Sequence, residues 1–112
     1  MAKKQSEIRF YVQLDENKFP EKIEWEATDS EFEGRRECDA LFISLWDVLE
    51  KNTMGIDLWT TGMLVMDMNI HVFQTLMQLA DTYRKATNND HVAQMLTDFA
   101  RQFAEATEII QK

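Results

Sequence analysis

The sequence predicts an α+β domain in which three strands form a small, mostly antiparallel sheet and helices pack on one face of it. Three observations predict this class. Two segments near the start alternate between apolar and polar residues, a third alternating segment follows later, and three further segments carry apolar residues at helical spacing. The predicted order is strand, strand, helix, strand, helix, helix, within a single domain over residues 1–112.

The first two strands are predicted to form a hairpin. Residues 7–14 alternate between apolar and polar side chains, which is the period-two pattern of a half-buried strand. Residues 15–20 are rich in turn-forming polar residues and end in Pro20, whose ring fixes φ and removes a backbone donor. Residues 22–28 alternate again, with Trp25 on the apolar side. The chain therefore reverses between two antiparallel strands.

The next helix and strand are predicted from a change of period. Residues 36–52 place apolar side chains at three- and four-residue steps, which predicts an amphipathic helix. Its stripe comprises Cys38, Leu41, Phe42, Leu45, Trp46 and Leu49. Residues 53–60 return to strict alternation and predict the third strand. A right-handed crossover would place that strand parallel to the second, beside the first strand, which would then be central.

Two helices are predicted to complete the domain. The first covers about 66–86 and carries two apolar stripes, so its apolar arc is wider than packing against one neighbour requires. This width predicts either a central helix or a homo-oligomer. Residues 87–90 supply asparagine and aspartate side chains that can stop one helix and cap the next. The last helix then runs to about Ile110.

Composition excludes several classes of partner. The 112 residues carry a formal net charge of −8, which repels the phosphates of nucleic acids and anionic membrane surfaces. The densest apolar stretch is much shorter than the roughly 20 residues that a membrane-spanning helix needs, so no direct membrane insertion is expected. No export signal is visible at the start, and Cys38 is the only cysteine. The expected location is cytoplasmic.

No catalytic or cofactor motif is present in the sequence. The three glycines stand far apart, so they form no phosphate-binding loop, and there is no spaced cluster of cysteine or histidine. Asp67 and His71 could share a helical face, but two ligands are too few for a closed zinc site. Cys38 lies on an apolar stripe, where a thiol usually behaves as a small hydrophobe. We therefore expect no enzymatic activity, no metal and no cofactor.

Two aromatic residues on the polar side of the strands are candidates for recognition. The predicted sheet places Tyr11 and Trp59 together on its uncovered face, beside Asp57. Exposed aromatic residues are enriched at the centres of protein interfaces. Tyr11, Asp57 and Trp59 are therefore predicted to bind a protein partner. The alternative is that the two aromatic residues only pack against each other across the strands and stiffen the sheet.

Seven methionines suggest an alternative role. Several lie in or near the long helix, and flexible thioether side chains can form an adaptable binding surface. A chaperone-like or small-ligand-binding protein would then have an enclosed apolar pocket lined by Met66, Phe73 and Met77. Packing into the core is the simpler explanation of the same stripe.

Several blocks of the sequence, in the same order, resemble the gliding motility-associated protein C (GldC) family. The blocks are Ser6-Glu7-Ile8, Leu14-Asp15-Glu16-Asn17, Pro20-Glu21-Lys22-Ile23-Glu24-Trp25, Ser44-Leu45-Trp46-Asp47, Ile56-Asp57-Leu58-Trp59-Thr60, Gln74-Thr75-Leu76, Ala80-Asp81-Thr82-Tyr83, Ala86-Thr87, Asp98-Phe99 and Phe103-Ala104-Glu105. The sequence departs from the family pattern at 62–68, which is less charged here. The resemblance implies a cytoplasmic accessory protein associated with gliding, with a protein partner in the gliding or linked secretion machinery and no catalytic residues.

Overall fold

The computed structural model describes residues 4–110, which form an α+β protein with five strands and two helices. These residues divide into two compact units, one ending at Met63 and the other beginning at Leu64. The strands of the first unit are β1 (Ile8–Leu14), β2 (Pro20–Ala27), β3 (Arg36–Cys38), β4 (Ala40–Asp47) and β5 (Asn52–Trp59). The helices of the second are α1 (Val65–Thr87) and α2 (Asp90–Ala106). The predicted α+β class is confirmed, whereas a single domain and helices packed on one sheet face stay predictions.

The first sheet is antiparallel and has β2 at its centre, between β1 and β3. Ile23 of β2 lies opposite Val12 of β1 on one side and opposite Cys38 of β3 on the other. Its side chain has no exposed surface and is the largest one fully buried among the described residues. A position flanked by strands on both sides loses the most contact with water, so Ile23 anchors this sheet.

The predicted turn between the first two strands is confirmed, and Asp15 builds it. The Asp15 carboxylate accepts hydrogen bonds from the backbone N–H groups of Asn17, at 2.8 Å, and Phe19, at 3.0 Å. The Asp15 N–H donates to the Phe19 carbonyl at 2.8 Å, which closes the loop. Lys18 adopts a left-handed φ of 67° within it. An aspartate side chain that bonds the amide two residues later is a common turn device.

The second sheet is an antiparallel hairpin of β4 and β5. Its register runs from Ala40 opposite Trp59 to Asp47 opposite Asn52. At the tip, the Lys51 N–H donates to the Asp47 carbonyl at 3.0 Å, and the Glu50 N–H donates to the Asp47 carboxylate at 2.7 Å. These bonds reverse the chain in four residues.

The predicted helix over 36–52 is wrong, because this segment forms β3, β4 and the hairpin tip. The apolar residues of 40–46 occupy both faces of an extended chain, so their spacing fits a strand as well as a helix. Pairing with a neighbouring strand decides the conformation of this segment. Leu41 and Ile43 lie opposite Leu58 and Ile56, which gives each of them an apolar cross-strand neighbour.

The predicted strand order is wrong for the same reason. The strand over 53–60 exists as β5, but it pairs antiparallel with β4 instead of lying beside β1 in the same direction as β2. The central strand of the first sheet is β2 and not β1. Once 36–47 is extended, no helical crossover precedes β5, so the handedness rule for crossovers does not apply.

The two helices of the second unit pair with each other, and their predicted bounds are largely confirmed. α1 ends at Thr87, and its C-cap, Asn88, has a left-handed φ of 58° and donates its N–H to the Arg84 carbonyl. Asn89 then caps α2 by accepting a hydrogen bond from the Val92 N–H at 3.1 Å, as predicted for residues 87–90. α2 ends at Ala106, earlier than predicted. The buried residues of the two helices are all alanines, Ala80, Ala93, Ala100 and Ala104.

Shortening the buried Ile23 by one methylene group tests its role as the anchor of the first sheet. We expect Ile23→Val to lower the free energy of unfolding by about 1 kcal/mol, because the methylene leaves a small cavity. Ile8→Val is the matched control, since Ile8 is 66% exposed in the neighbouring strand. Urea unfolding should show a change below about 0.5 kcal/mol for the control. Equal losses in both variants would contradict the assignment.

Candidate functional site

An open cavity of about 460 Å³ lies in the first unit, where the end of β5 meets the start of β2. Its walls are mainly apolar, and one carboxylate lies among them. The lining residues are Phe19, Pro20, Asp57, Leu58, Trp59 and Thr61. It contains two of the three residues predicted to bind a partner, Asp57 and Trp59.

Backbone hydrogen bonds hold the two walls of this cavity together. The Thr60 N–H donates to the Asp39 carbonyl at 2.8 Å, and the Thr60 hydroxyl donates to the Asp39 carboxylate at 3.3 Å. The next residue, Thr61, donates its N–H to the Pro20 carbonyl at 3.2 Å. Thr60 is only 5% exposed, so its own N–H and hydroxyl are shielded from water, whereas Thr61 is exposed. The end of β5 is therefore fixed to both neighbouring segments.

The sequence places Asp57 and Trp59 on one face of β5, because residues two apart in a strand point the same way. Trp59 lies opposite Ala40, whose small side chain covers little of the indole, and Trp59 is 57% exposed. Within residues 4–110, the Asp57 carboxylate accepts no hydrogen bond and forms no ion pair. The cavity thus offers an accessible aromatic face and an accessible negative charge.

Tyr11, the third predicted residue, belongs to a different sheet and is engaged by residues of its own unit. It lies in β1 opposite Glu24, and its hydroxyl donates a hydrogen bond to Glu26. The Arg35 guanidinium stacks over its ring at 3.5 Å from the ring centre and lies 3.8 Å from the Glu24 carboxylate. Tyr11 and Trp59 are therefore not cross-strand neighbours, and the structure does not bring all three predicted residues into one cavity.

The opposite face of the first sheet has a second aromatic cluster. Trp25 and Phe32 meet edge to face with their ring centres 6.4 Å apart. The Arg36 guanidinium lies 3.8 Å from the centre of the Phe32 ring. Arg36 begins β3 opposite Trp25, whereas Arg35 directly precedes the strand and reaches the Tyr11 side of the sheet. Sequence analysis identified no recognition residue in the segment that carries Phe32, Arg35 and Arg36, and so missed both stacking contacts.

Phe19, Pro20, Leu58 and Thr61 are the cavity residues that sequence analysis did not identify. For Phe19 the sequence contained a partial signal, because an aromatic residue next to a proline in a turn is a fixed apolar feature. The proximity of Phe19 and Pro20 to Trp59 was not predictable, since it depends on the hydrogen bond from the Thr61 N–H to the Pro20 carbonyl.

The thiol of Cys38 is half-buried beside the central strand. Burial raises its pKa above the ordinary value of 9.0, and the negative charges of Asp39 and Glu37 raise it further. Within the described part of the chain, no group of three or more histidine, cysteine, aspartate or glutamate residues is arranged to hold a metal ion.

The residues proposed for a pocket along the long helix lie in α1. Met66 and Met77 are exposed, whereas Phe73 is half-buried. An enclosed pocket lined by these three residues stays a prediction. Neither of the two described helices has the combination of length and apolar character that would let it cross a membrane.

The fold and the cavity define a small α+β protein with an open, carboxylate-bearing aromatic cavity beside a hairpin. The model of the gliding motility-associated GldC-like family matches residues 20–109. The chain belongs to this family, which confirms the resemblance found in the sequence. A search of curated proteins found no match, and neither did a search of solved structures.

Alkylation of Cys38 tests the raised pKa. Only the thiolate reacts, so iodoacetamide should modify the folded chain at pH 8 more slowly than the urea-unfolded chain. The folded chain also holds the Cys38 thiol proton to a higher pH than the unfolded chain does. The free energy that this thiol contributes to folding is therefore present below the unfolded pKa and is lost as pH rises through the folded pKa. Mass spectrometry of timed samples measures the rates. Equal rates in the folded and unfolded chain would contradict the assignment, and Cys38→Ser controls for reaction at other residues.

Proposed function

We propose that this protein is a non-enzymatic cytoplasmic accessory protein in gliding motility that acts as a protein-interaction module. Membership of the gliding motility-associated family supports the process. The partner we propose is a protein of the gliding machinery or of the linked secretion machinery. No role with nucleic acid is proposed, because the net charge of −8 repels phosphate.

The observation that carries the interaction role is the open cavity around Trp59. A large aromatic side chain that is 57% exposed gains free energy when a partner covers it. The walls are already fixed by the hydrogen bonds of Thr60 and Thr61, so binding requires little ordering of the backbone. A preformed apolar cavity with a polar group at its rim is the usual form of a recognition site.

Removing the Trp59 indole tests this role directly. We expect Trp59→Ala to abolish capture of the partner from a lysate of the native organism, because the indole forms one wall of the cavity. Its thermal midpoint should change little, since the ring is mostly in water. Trp46→Ala is the matched control, because Trp46 is similarly exposed on the same hairpin but lies outside the cavity.

The readout is a pull-down with each variant as bait, analysed by mass spectrometry and accompanied by a thermal melt. A partner captured equally by the natural chain and Trp59→Ala would contradict docking at this cavity. A large fall in the thermal midpoint of Trp59→Ala alone would show that the indole is structural.

We also propose that two copies of this chain associate through the outer half of the β4–β5 hairpin. The apolar residues there that lie on one face or at the tip are more than half exposed: Leu45, Val48, Leu49, Met54 and Ile56. With about 100 Å² on each, they offer on the order of 500 Å², more than half of the roughly 800 Å² that each partner contributes to a standard interface. A two-stranded hairpin is only marginally stable alone, so a second copy would stabilise it.

Light scattering coupled to size-exclusion chromatography tests this association. The natural chain should elute as a dimer, and Leu45→Gln should elute as a monomer because it puts a polar group into the apolar surface. Leu79→Gln, at a similarly exposed position on α1, should remain a dimer. Dimerisation lost in Leu79→Gln and kept in Leu45→Gln would assign the interface to the long helix instead. Added salt should favour the dimer, since two chains of −8 repel each other.

A chaperone-like or small-ligand-binding role is the second candidate, supported by the exposure of Met66 and Met77 on α1. Methionine side chains adapt to irregular apolar partners. Under this alternative, the Trp59→Ala variant would bind its ligand as well as the natural chain does.

A further inference from the structure

We propose that the cavity around Trp59 binds a cationic side chain of the partner, best an arginine, with Asp57 pairing its charge and Trp59 stacking on its guanidinium. This inference rests on the proposed function, because it assigns a chemistry to the segment that docks at the same cavity. It follows from the combination of groups in the cavity, from a similar combination elsewhere in the chain, and from the charge of the protein.

The cavity combines the two groups that an arginine side chain requires. The alkyl part of arginine is apolar and packs against rings and aliphatic groups, which Phe19, Leu58 and Trp59 supply. The guanidinium is attracted to the face of an indole more strongly than to other aromatic rings. Asp57 lies on the same face of β5 as Trp59, so its carboxylate can meet a cation that stacks there.

The same unit already contains this arrangement in complete form. In the Tyr11 cluster, the Arg35 guanidinium lies 3.5 Å from the centre of an aromatic ring and 3.8 Å from the Glu24 carboxylate. The ring, the carboxylate and the cation all come from one chain. At Trp59 the ring and the carboxylate are present, but no cation from residues 4–110 pairs with either. We infer that the partner supplies it.

Charge selects among the side chains that could fill an aromatic cavity. The protein has a net charge of −8, so an acidic segment is repelled and a basic one is attracted. Arginine is favoured over lysine because its flat guanidinium can stack on the indole while its N–H groups point at the carboxylate. A basic partner segment would also associate faster at low salt.

The test uses the full chain and three acetylated, amidated pentapeptides that differ only at the central residue. The sequence is serine, leucine, X, leucine, serine, with arginine, citrulline or glutamate at X. Citrulline keeps the shape of arginine and removes the charge. Binding is followed by NMR through the Trp59 indole N–H signal, which is assigned by its loss in Trp59→Phe.

We expect the arginine peptide to shift this signal saturably and to bind about five-fold more tightly than the citrulline peptide, a ratio typical of a strong exposed ion pair. The glutamate peptide should bind more weakly than either. Asp57→Asn should reduce affinity for the arginine peptide about five-fold and remove its advantage over citrulline. Glu50→Gln is the matched control, because it removes one negative charge from the same hairpin outside the cavity.

Equal binding of the arginine and citrulline peptides, or an unchanged affinity in Asp57→Asn, would overturn the proposal. Binding of none of the peptides would also overturn it. These failures are separate from failure of the proposed function. A partner captured through Trp59 but indifferent to Asp57→Asn would leave the docking site standing and reject its cationic ligand, whereas capture that ignores Trp59→Ala would reject the docking site itself.

Discussion

The junction between Asp39 and Thr60 determines how the first unit is arranged. One backbone hydrogen bond of 2.8 Å and one side-chain hydrogen bond join the buried Thr60 to Asp39, which is exposed. Asp39 is the single residue between β3 and β4, so it lies where the chain leaves one sheet and enters the other. The Thr60 groups are costly to leave unpaired, because in their buried position they would lose their bonds without gaining water. Together with the bond from the Thr61 N–H to the Pro20 carbonyl, the junction holds the end of β5 against the start of β2, where the cavity lies.

The two sheets bury their apolar side chains to different degrees along their strands. In the first sheet, the central strand buries Ile23 completely, whereas the apolar side chains of β1, such as Ile8 and Leu14, remain at least half exposed. In the hairpin, Leu41 is buried near the junction and the residues toward the tip are exposed. Burial thus concentrates near Asp39 and decreases away from it. Apolar surface left in water at this scale is typical of proteins that bind other macromolecules.

Strict periodicity was a reliable guide wherever one face of an element was apolar and the other polar. Both strands of the first hairpin, β5 and the two helices were predictable on that basis. The segment 40–46 was not, since it is apolar on both faces and its conformation is decided by pairing with β5. Local pattern cannot reveal a partner that lies elsewhere in the chain, which is also why the strand order was wrong.

The candidate site was predictable in part for a similar reason. Trp59 and Asp57 could be selected because a strand pattern put a large aromatic residue and a carboxylate on a polar face. Tyr11 satisfied the same criterion, but Arg35, from a segment without any periodicity, stacks on it. Phe19 entered the cavity through the Asp15 turn. Loop residues take positions set by tertiary contacts, so sequence patterns say little about them.

The adjacent arginines, Arg35 and Arg36, tie the register of β3 to two rings that lie on opposite sides of the first sheet. Gly34, with a left-handed φ of 71°, brings the chain out of its loop immediately before them. Because Arg36 lies opposite Trp25, a slip of β3 by one residue against β2 would carry Arg36 to the Tyr11 side and break both stacks at once. A strand of only three residues thus has its register held from both faces of the sheet.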